Sequence, residues 1–410
     1  MTRRKGSGVM RPITDTLRFD DAMRILMDAA TPLNRIETVA ILQADGRVAA
    51  RDVIAAMDVP PFDRAAMDGY AVIAEDTFGA GGVSPKTLTC VDRVFTGQVP
   101  TRDVGHGECT EIATGAPMPS GADAVVMVEE TERDGQTVRV LMPVYPRQHV
   151  GRQAADIARG QTVITAEQIV NPSRIGALAA TGVTEVEVFA RPTVAILSTG
   201  NEIAEPGQPL GPGQIYDINR FTLDAVVRRH GGVPVALATA VDTIADLTAA
   251  IDAACHHDVV VFSGGSSVGE RDLLLDVIEQ RGDVLFHGIA VKPGKPTLFG
   301  RVGRTPVFGM PGYATSCLSN AYLLLVPFLR KVARLPDWQP QTTERPLARR
   351  IVSTTGRHQF FTVRLMDGRA ELAFKASGDI TSMAHADGYI EIPAQTDIVE
   401  AGTVVTVKLF

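Results

Sequence analysis

The chain lacks the features that mark extracellular, membrane-spanning or nucleic-acid-binding proteins. Only 4 of its 410 residues are cysteine (Cys90, Cys109, Cys255, Cys317), and no C-x-x-C occurs. That spacing excludes a disulfide scaffold and a zinc knuckle and fits a reducing cytoplasm. No long apolar run is present: "AYLLLVPFL" stops at Arg330, far short of the ~20 residues a membrane helix needs. The N-terminus "MTRRKGSGVMRP" is basic but is followed by no apolar stretch, so it reads as a short leader and not a signal peptide. An excess of positive charge is also missing. With 40 basic and 47 acidic residues the formal charge is −7, which argues against nucleic acid and anionic membrane as partners. Small molecules and other proteins remain.

What is present is an ordinary globular composition, 45% hydrophobic and 21% charged, long enough for two to four domains of roughly 100–200 residues. Helical spacing of Ala22, Ile25 and Leu26 predicts a helix near Phe19–Asp28. From Pro60–Pro61 to about Val150, short alternating strands punctuated by Gly and Pro predict a β-rich domain. "AEQIVNPSRIGALAATG" then predicts a helix starting beside Pro172 and capped by Gly182. From Arg191 an α/β rhythm begins. Strands are expected at Val194–Leu197, Val233–Ala240, Val259–Phe262, Val284–Phe286 and Val307–Phe308. Helices are expected at Asn219–His230, around Ile244–Ile251, at Asp272–Arg281 and from Ala314 to Arg330. Continuous apolar strands alternating with helices imply a parallel sheet covered on both faces. The tail from Pro336 returns to alternation and predicts a small all-β unit.

Ligands of such sheets gather at the carboxyl ends of the strands. Those ends read "LSTGNEI", "TAVD", "FSGGSSVGERD", "VKPGKP" and "GMPGYATS". The loop Ser263, Gly264, Gly265, Ser266, Ser267 feeds a helix, so its amides and hydroxyls suit an anion; taken alone, "SGG" also fits a bare tight turn. Glu202, Asp242 and Asp272 lie at or beyond three strand ends. Such acids are commonly solvated helix starts, but three of them beside an anion loop match a Mg²⁺ site bridging phosphates. Lys292 and Lys295 flank a Pro-Gly turn, which suits a multivalent oxyanion as well as a plain surface loop.

"MDGYAV", "TGAPMPSGADAVV", "LSTGNEI", "SGGSSVGERD", "KPGKPTLFG" and "GMPGYATSCLSNAYLLLVP" occur in this order and resemble the molybdopterin molybdenumtransferases, the MoeA family related to the gephyrin E-domain. The resemblance runs from about Leu17 to the C-terminus. It implies an α/β multidomain fold: a helical N-terminal segment (10–58 with 157–190), a β-rich insertion (59–156), a central three-layer α/β domain with a mainly parallel sheet (191–335) and a C-terminal β-barrel (336–410). It also implies a cytoplasmic homodimer that inserts molybdenum from molybdate into adenylylated molybdopterin. Mg²⁺-dependent hydrolysis of the adenylate accompanies insertion, and the pterin adenylyltransferase is a further implied partner. Carried over by motif, Ser267, Asp272, Asp242 and Glu202 belong to the nucleotide and metal region, and Asp217 and Asn219 of "IYDIN" contact ligand. Lys292, Lys295, Ser316, Arg357 and Ser382 resemble the molybdate-holding groups. Asp68, Thr114, Arg152 and Asp156 match functional positions that reach the other subunit's site.

The chain departs from the family pattern at several places. Arg64–Ala65 stand for Asn-Ser, Ala155 for Glu, Asn201 for Asp, and "PGYATS" for "PGNPVS". These changes leave the metal acids and the lysine pair in place and raise tungstate as an alternative oxyanion. Two other functions compete: a pterin adenylyltransferase, which lacks the insertion and the barrel, and a non-catalytic scaffold, which needs no such charge cluster.

Overall fold

The structure is a computed structural model that describes residues 15–239, 243–264 and 273–410. The chain divides into two compact units. One is Glu37–Val188; the other joins the chain up to Ile36 with Phe189–Phe410.

In the first unit, a six-stranded sheet has the order Ala124–Met127, Gly69–Val72, Glu108–Ile112, Lys86–Val94, Thr137–Val140, Thr131–Asp134. Alternation along "GYAV" sends Tyr70 and Val72 into one apolar cluster and Ala71 into another, as the period of two requires. The helix Pro172–Ala180 begins where its sequence predicts. The Asn171 side chain accepts a bond from the Arg174 amide, and Pro172 occupies the first turn, where its missing N–H costs nothing.

The second unit holds the expected α/β rhythm. Its central sheet runs Val233–Ala236, Thr193–Ser198, Val259–Ser263, Thr305–Met310, Leu298–Val302, Asp283–His287. Val194, Ile196, Val259 and Val261 enter one core, with Leu223, Leu324 and Phe328. Ala195, Leu197, Val260 and Phe262 enter another, with Leu247, Ile251 and Leu274. Both faces are therefore covered by helices. The sheet is mixed where sequence alternation had predicted a parallel one: Thr305–Met310 pairs antiparallel with Leu298–Val302, which pairs antiparallel with Asp283–His287. The strand Leu298–Val302 was hidden in "PTLFG", a short apolar run directly behind the lysine turn.

The helix expected from Ala314 to Arg330 is slightly longer and irregular. It runs Ala314–Asn320, passes through a π segment at Ala321–Leu325 and continues to Val332. The C-terminal strands form a second sheet in the order Val291–Lys292, His358–Met366, Gly388–Ile392, Val404–Leu409, Thr342–Pro346, with Arg369–Leu372 added to His358–Met366. The segment carrying Lys292 thus pairs with the C-terminal β region, Lys292 opposite Gln359.

His230 closes the helix Asn219–Arg229. It is 3% exposed, sits edge-on to Tyr322 and Trp338, and neither ring nitrogen has a hydrogen-bond partner among the described residues. Burial, helped by the Arg330 and Arg229 charges, pushes its pKa down to about 4. A depressed histidine pKa favours the neutral native form, so this stability is fully present above the unfolded value near 6.5 and is lost as pH falls towards 4. The loss should reach roughly 3 kcal/mol, at about 1.4 per unit. Urea unfolding at pH 7 and pH 4.5 should show a larger drop for wild type than for His230→Leu; equal drops would remove His230 as the cause.

Candidate active site

Polar groups cannot line strands that are buried on both faces, and they concentrate where the strands end. Ser198 and Ser263 stand side by side on adjacent parallel strands, their hydroxyls 3.3 Å apart. The next residues close the strand tips: the Thr199 amide donates to Ser263 O at 3.0 Å and the Gly264 amide to Met310 O at 3.1 Å. Gly264 has φ +93°, and a Cβ there would lie 2.7 Å from Thr199 O, so only glycine suits the position. The small residue at the head of the loop is thus a packing requirement, whatever the loop binds.

Asp217 and Asn219 join this edge. Asn219 Nδ2 donates to Gly312 O at 2.8 Å, tying the start of one helix to the loop before another. Its Oδ1 has no hydrogen-bond partner among the described residues, and neither does Thr199 Oγ1. Asn219 is 8% exposed and Thr199 3%. Unpaired buried polar atoms are costly, and these two belong to residues at the carboxyl end of the sheet, where a ligand is expected. Asp217 is buried and held by Arg220, whose amide donates to its Oδ1 at 3.1 Å and whose Nε lies 3.6 Å from Oδ2. Glu202 is exposed, with its carboxylate folded over Gly200, where a Cβ would meet it at 2.5 Å.

The lysine turn is built separately. Gly294 has φ +102°, and a Cβ there would lie 2.3 Å from Asn320 Nδ2. Asn320 is fully buried and donates to Gly294 O at 2.9 Å and to Thr297 Oγ1 at 2.6 Å. Lys292 Nζ donates to Thr354 Oγ1 at 3.0 Å, and the Arg357 amide donates to Thr354 O, so Thr354 joins the lysine turn to the Arg357 loop. Ser316 lies one helical turn before Asn320 on the same face. Its neighbour Thr315 fastens the 375–382 segment, its amide donating to Ser377 O and its hydroxyl to Asp379 O. Ser382 in that segment is fully buried, and its hydroxyl accepts the Lys375 amide at 3.0 Å.

In the other unit Asp68 and Thr114 meet. Both the amide and the hydroxyl of Thr114 donate to Asp68 Oδ1, at 2.7 and 3.0 Å. The amide bond first, then the hydroxyl, holds the Asp68 carboxyl below the usual range. Arg152 and Asp156 are exposed on the returning segment, which is fixed by two acids not among the candidate site residues. Asp63 accepts the Gln153 amide at 2.8 Å, and Asp58 accepts the Arg159 amide at 2.8 Å and Gln153 Nε2 at 2.7 Å. They lie on either side of Pro60–Pro61.

Asp242, Gly265, Ser267 and Asp272 lie outside the described residues, so two of the three acids assigned to a metal have no described geometry. Among the described residues no cluster of three potential ligands (His, Cys, Asp, Glu) is present, and no helix is long and apolar enough to cross a membrane.

A doubly covered α/β sheet with polar strand ends, followed by a β region, defines the class. Residues 17–182 match the MoeA N-terminal region (domain I and II), 195–331 a probable molybdopterin binding domain, and 344–410 the MoeA C-terminal region (domain IV). The chain belongs to the MoeA family. It is 37% identical to molybdopterin molybdenumtransferase 2 of Mycobacterium tuberculosis, over 92% of this chain and 95% of the relative. Two crystal structures of molybdopterin biosynthesis MoeA proteins from Pyrococcus horikoshii are similar. One is 40% identical with a TM-score of 0.84 over 96% of this chain and 99% of its own. The other is 30% identical with a TM-score of 0.79 over 97% and 100%.

The Asn320 clamp is testable apart from any substrate. Asn320→Ala should destabilise the fold by about 1–3 kcal/mol, because the Gly294 and Thr297 oxygens lose a buried donor. It should also speed amide exchange at Thr297, whose N–H bonds Lys295 O within the clamped turn. An unchanged urea midpoint together with unchanged exchange would refute the clamp.

Proposed function

We propose that this transferase of molybdenum cofactor biosynthesis takes adenylylated molybdopterin and molybdate, hydrolyses the adenylate, releases AMP and leaves molybdenum on the pterin dithiolene. The observation that carries the reading is one connected run of polar turns. It begins with Asn219 at the strand ends, passes through Gly312 and Ser316, and reaches Asn320 and the lysine turn. One end carries buried unpaired acceptors, suited to the donor-rich edge of a heterocycle. The other carries Lys292, Lys295 and, through Thr354, Arg357, suited to a tetrahedral dianion. Fixed donors aimed at a phosphoanhydride or an oxyanion stabilise spread negative charge without covalent work by the protein.

Mg²⁺ belongs to this reading through Glu202, Asp242 and Asp272. Glu202, the one described, is exposed at a strand end and offers the hard oxygen ligand that Mg²⁺ takes. Bound there, the ion would neutralise phosphate charge. Asp68, Thr114, Arg152 and Asp156 are assigned to the same reaction. The protein acts as a cytoplasmic homodimer with the pterin adenylyltransferase as its supplier, and its finer layout follows the four-part scheme that ends in a β-barrel at 336–410.

The test is turnover: the protein supplied with adenylylated molybdopterin and molybdate should release AMP. Formation of adenylylated pterin from ATP would support the adenylyltransferase instead, and no turnover at all the scaffold. Within this assay Lys295→Ala should raise the molybdate concentration for half-maximal insertion about tenfold or more, since charge-assisted hydrogen bonds contribute about 1.5–3 kcal/mol. Superimposable molybdate titrations of wild type and mutant would move the oxyanion away from the lysine turn.

A further inference from the structure

Tyr313 stands at a place where the chain departs from its family, in "PGYATS". It is 67% exposed, yet its base is fixed on both sides. The Gly312 carbonyl before it accepts Asn219 Nδ2 at 2.8 Å, and its own carbonyl accepts the Cys317 amide at 2.8 Å. One ring edge meets the 375–382 segment at a bare backbone: a Cβ on Gly378 would lie 3.9 Å from Tyr313 Cδ1. Single exposed aromatics are common and need no explanation. This one has its backbone anchored on both sides, one residue from the carbonyl that Asn219 grips, and Asn219 carries a buried Oδ1 without a partner among the described residues.

A ligand that satisfies both features has a planar ring and an N–H edge. The ring would stack on the tyrosine, and the N–H would supply the donor that Asn219 Oδ1 lacks. We propose that Tyr313 is a stacking platform for a planar amino-substituted heterocycle of the substrate, with Asn219 reading its N–H edge. The proposal rests on the function above and extends it to a specificity residue. Both the adenine and the pterin ends of that substrate are planar and carry an exocyclic amino group, so the shared chemistry is assigned here and the experiment separates the two sources.

Calorimetric titrations of AMP, and separately of a pterin without the adenylate, into wild type, Tyr313→Phe and Tyr313→Ala form the test. The phenylalanine variant should bind within about twofold of wild type, because the ring is retained. The alanine variant should bind the stacking ligand about fivefold to a hundredfold more weakly, the range that base–aromatic stacking supplies, with an unchanged unfolding midpoint. Loss confined to AMP assigns the platform to adenine, and loss confined to the pterin assigns it to the pterin. An alanine variant that binds both ligands as wild type does overturns the proposal, and so does a phenylalanine variant as weak as alanine, which would make the hydroxyl the contact. If wild type binds neither ligand, the site reading itself fails; if wild type binds and only the Tyr313 effect is missing, that reading survives without the platform.

Discussion

The central sheet is buried on both faces, and the rest of the unit depends on that. Val194 and Ile196 point into one core and Ala195 and Leu197 into the other, so no position along these strands tolerates a polar side chain without a partner. Side-chain chemistry is displaced to the strand tips. There Ser198, Thr199, Ser263 and Gly264 succeed the apolar runs within one or two residues. The abruptness of that change in "VVVFSGG" has this physical origin: the core ends and the site begins at the same peptide.

Loops at a strand tip have no core of their own, and this protein fixes them with buried side-chain amides. Asn219 ties the "IYDIN" segment to Gly312, and Asn320 ties the lysine turn to the helix that begins at Ala314. Both clamps lead to the helix from Ala314 to Val332. Its π segment lies directly after Asn320, at the change from a half that carries Thr315, Ser316 and Asn320 to a half that carries Phe328 and Leu329 in the core. Such a segment inserts an extra residue into the turn and rotates the facing of the residues beyond it. One continuous helix can then serve polar turns first and an apolar core afterwards.

Periodicity made the strands and helices of the α/β region legible, because a buried strand of four or more apolar residues and an amphipathic helix leave distinct patterns. It did not reveal that Leu298–Val302 is an antiparallel partner of Thr305–Met310, since so short a run carries no mark of its direction. Nor did it show that Val291–Lys292 pairs with His358–Gln359, a contact between segments far apart in the chain with no local signal. Of the candidate site, glycines and charges at strand ends were readable as types. The partners that fix them were not: Asn320 sits in an apolar helix and Thr354 in an unremarkable loop, and both are identified only by what they touch. Asp58 and Asp63 were hidden for the same reason.

The unpaired atoms give this arrangement its direction. Asn219 Nδ2 and Asn320 Nδ2 are bonded and Asp217 is held by Arg220, whereas Asn219 Oδ1 and Thr199 Oγ1, like Asn320 Oδ1 and both His230 ring nitrogens, have no hydrogen-bond partner among the described residues. Each unmet polar atom costs a fraction of what the two apolar cores contribute, so the fold tolerates them. A ligand bringing donors to those atoms gains their full hydrogen bonds without first breaking protein–protein ones. The side-chain amide groups that hold loops in place are bonded; of the atoms left unpaired, Asn219 Oδ1 and Thr199 Oγ1 belong to residues near the strand tips, while the His230 nitrogens lie against Tyr322 and Trp338. On the proposed function, a substrate donor reaching the two atoms near the strand tips would meet groups already desolvated, which lowers the polar cost of binding.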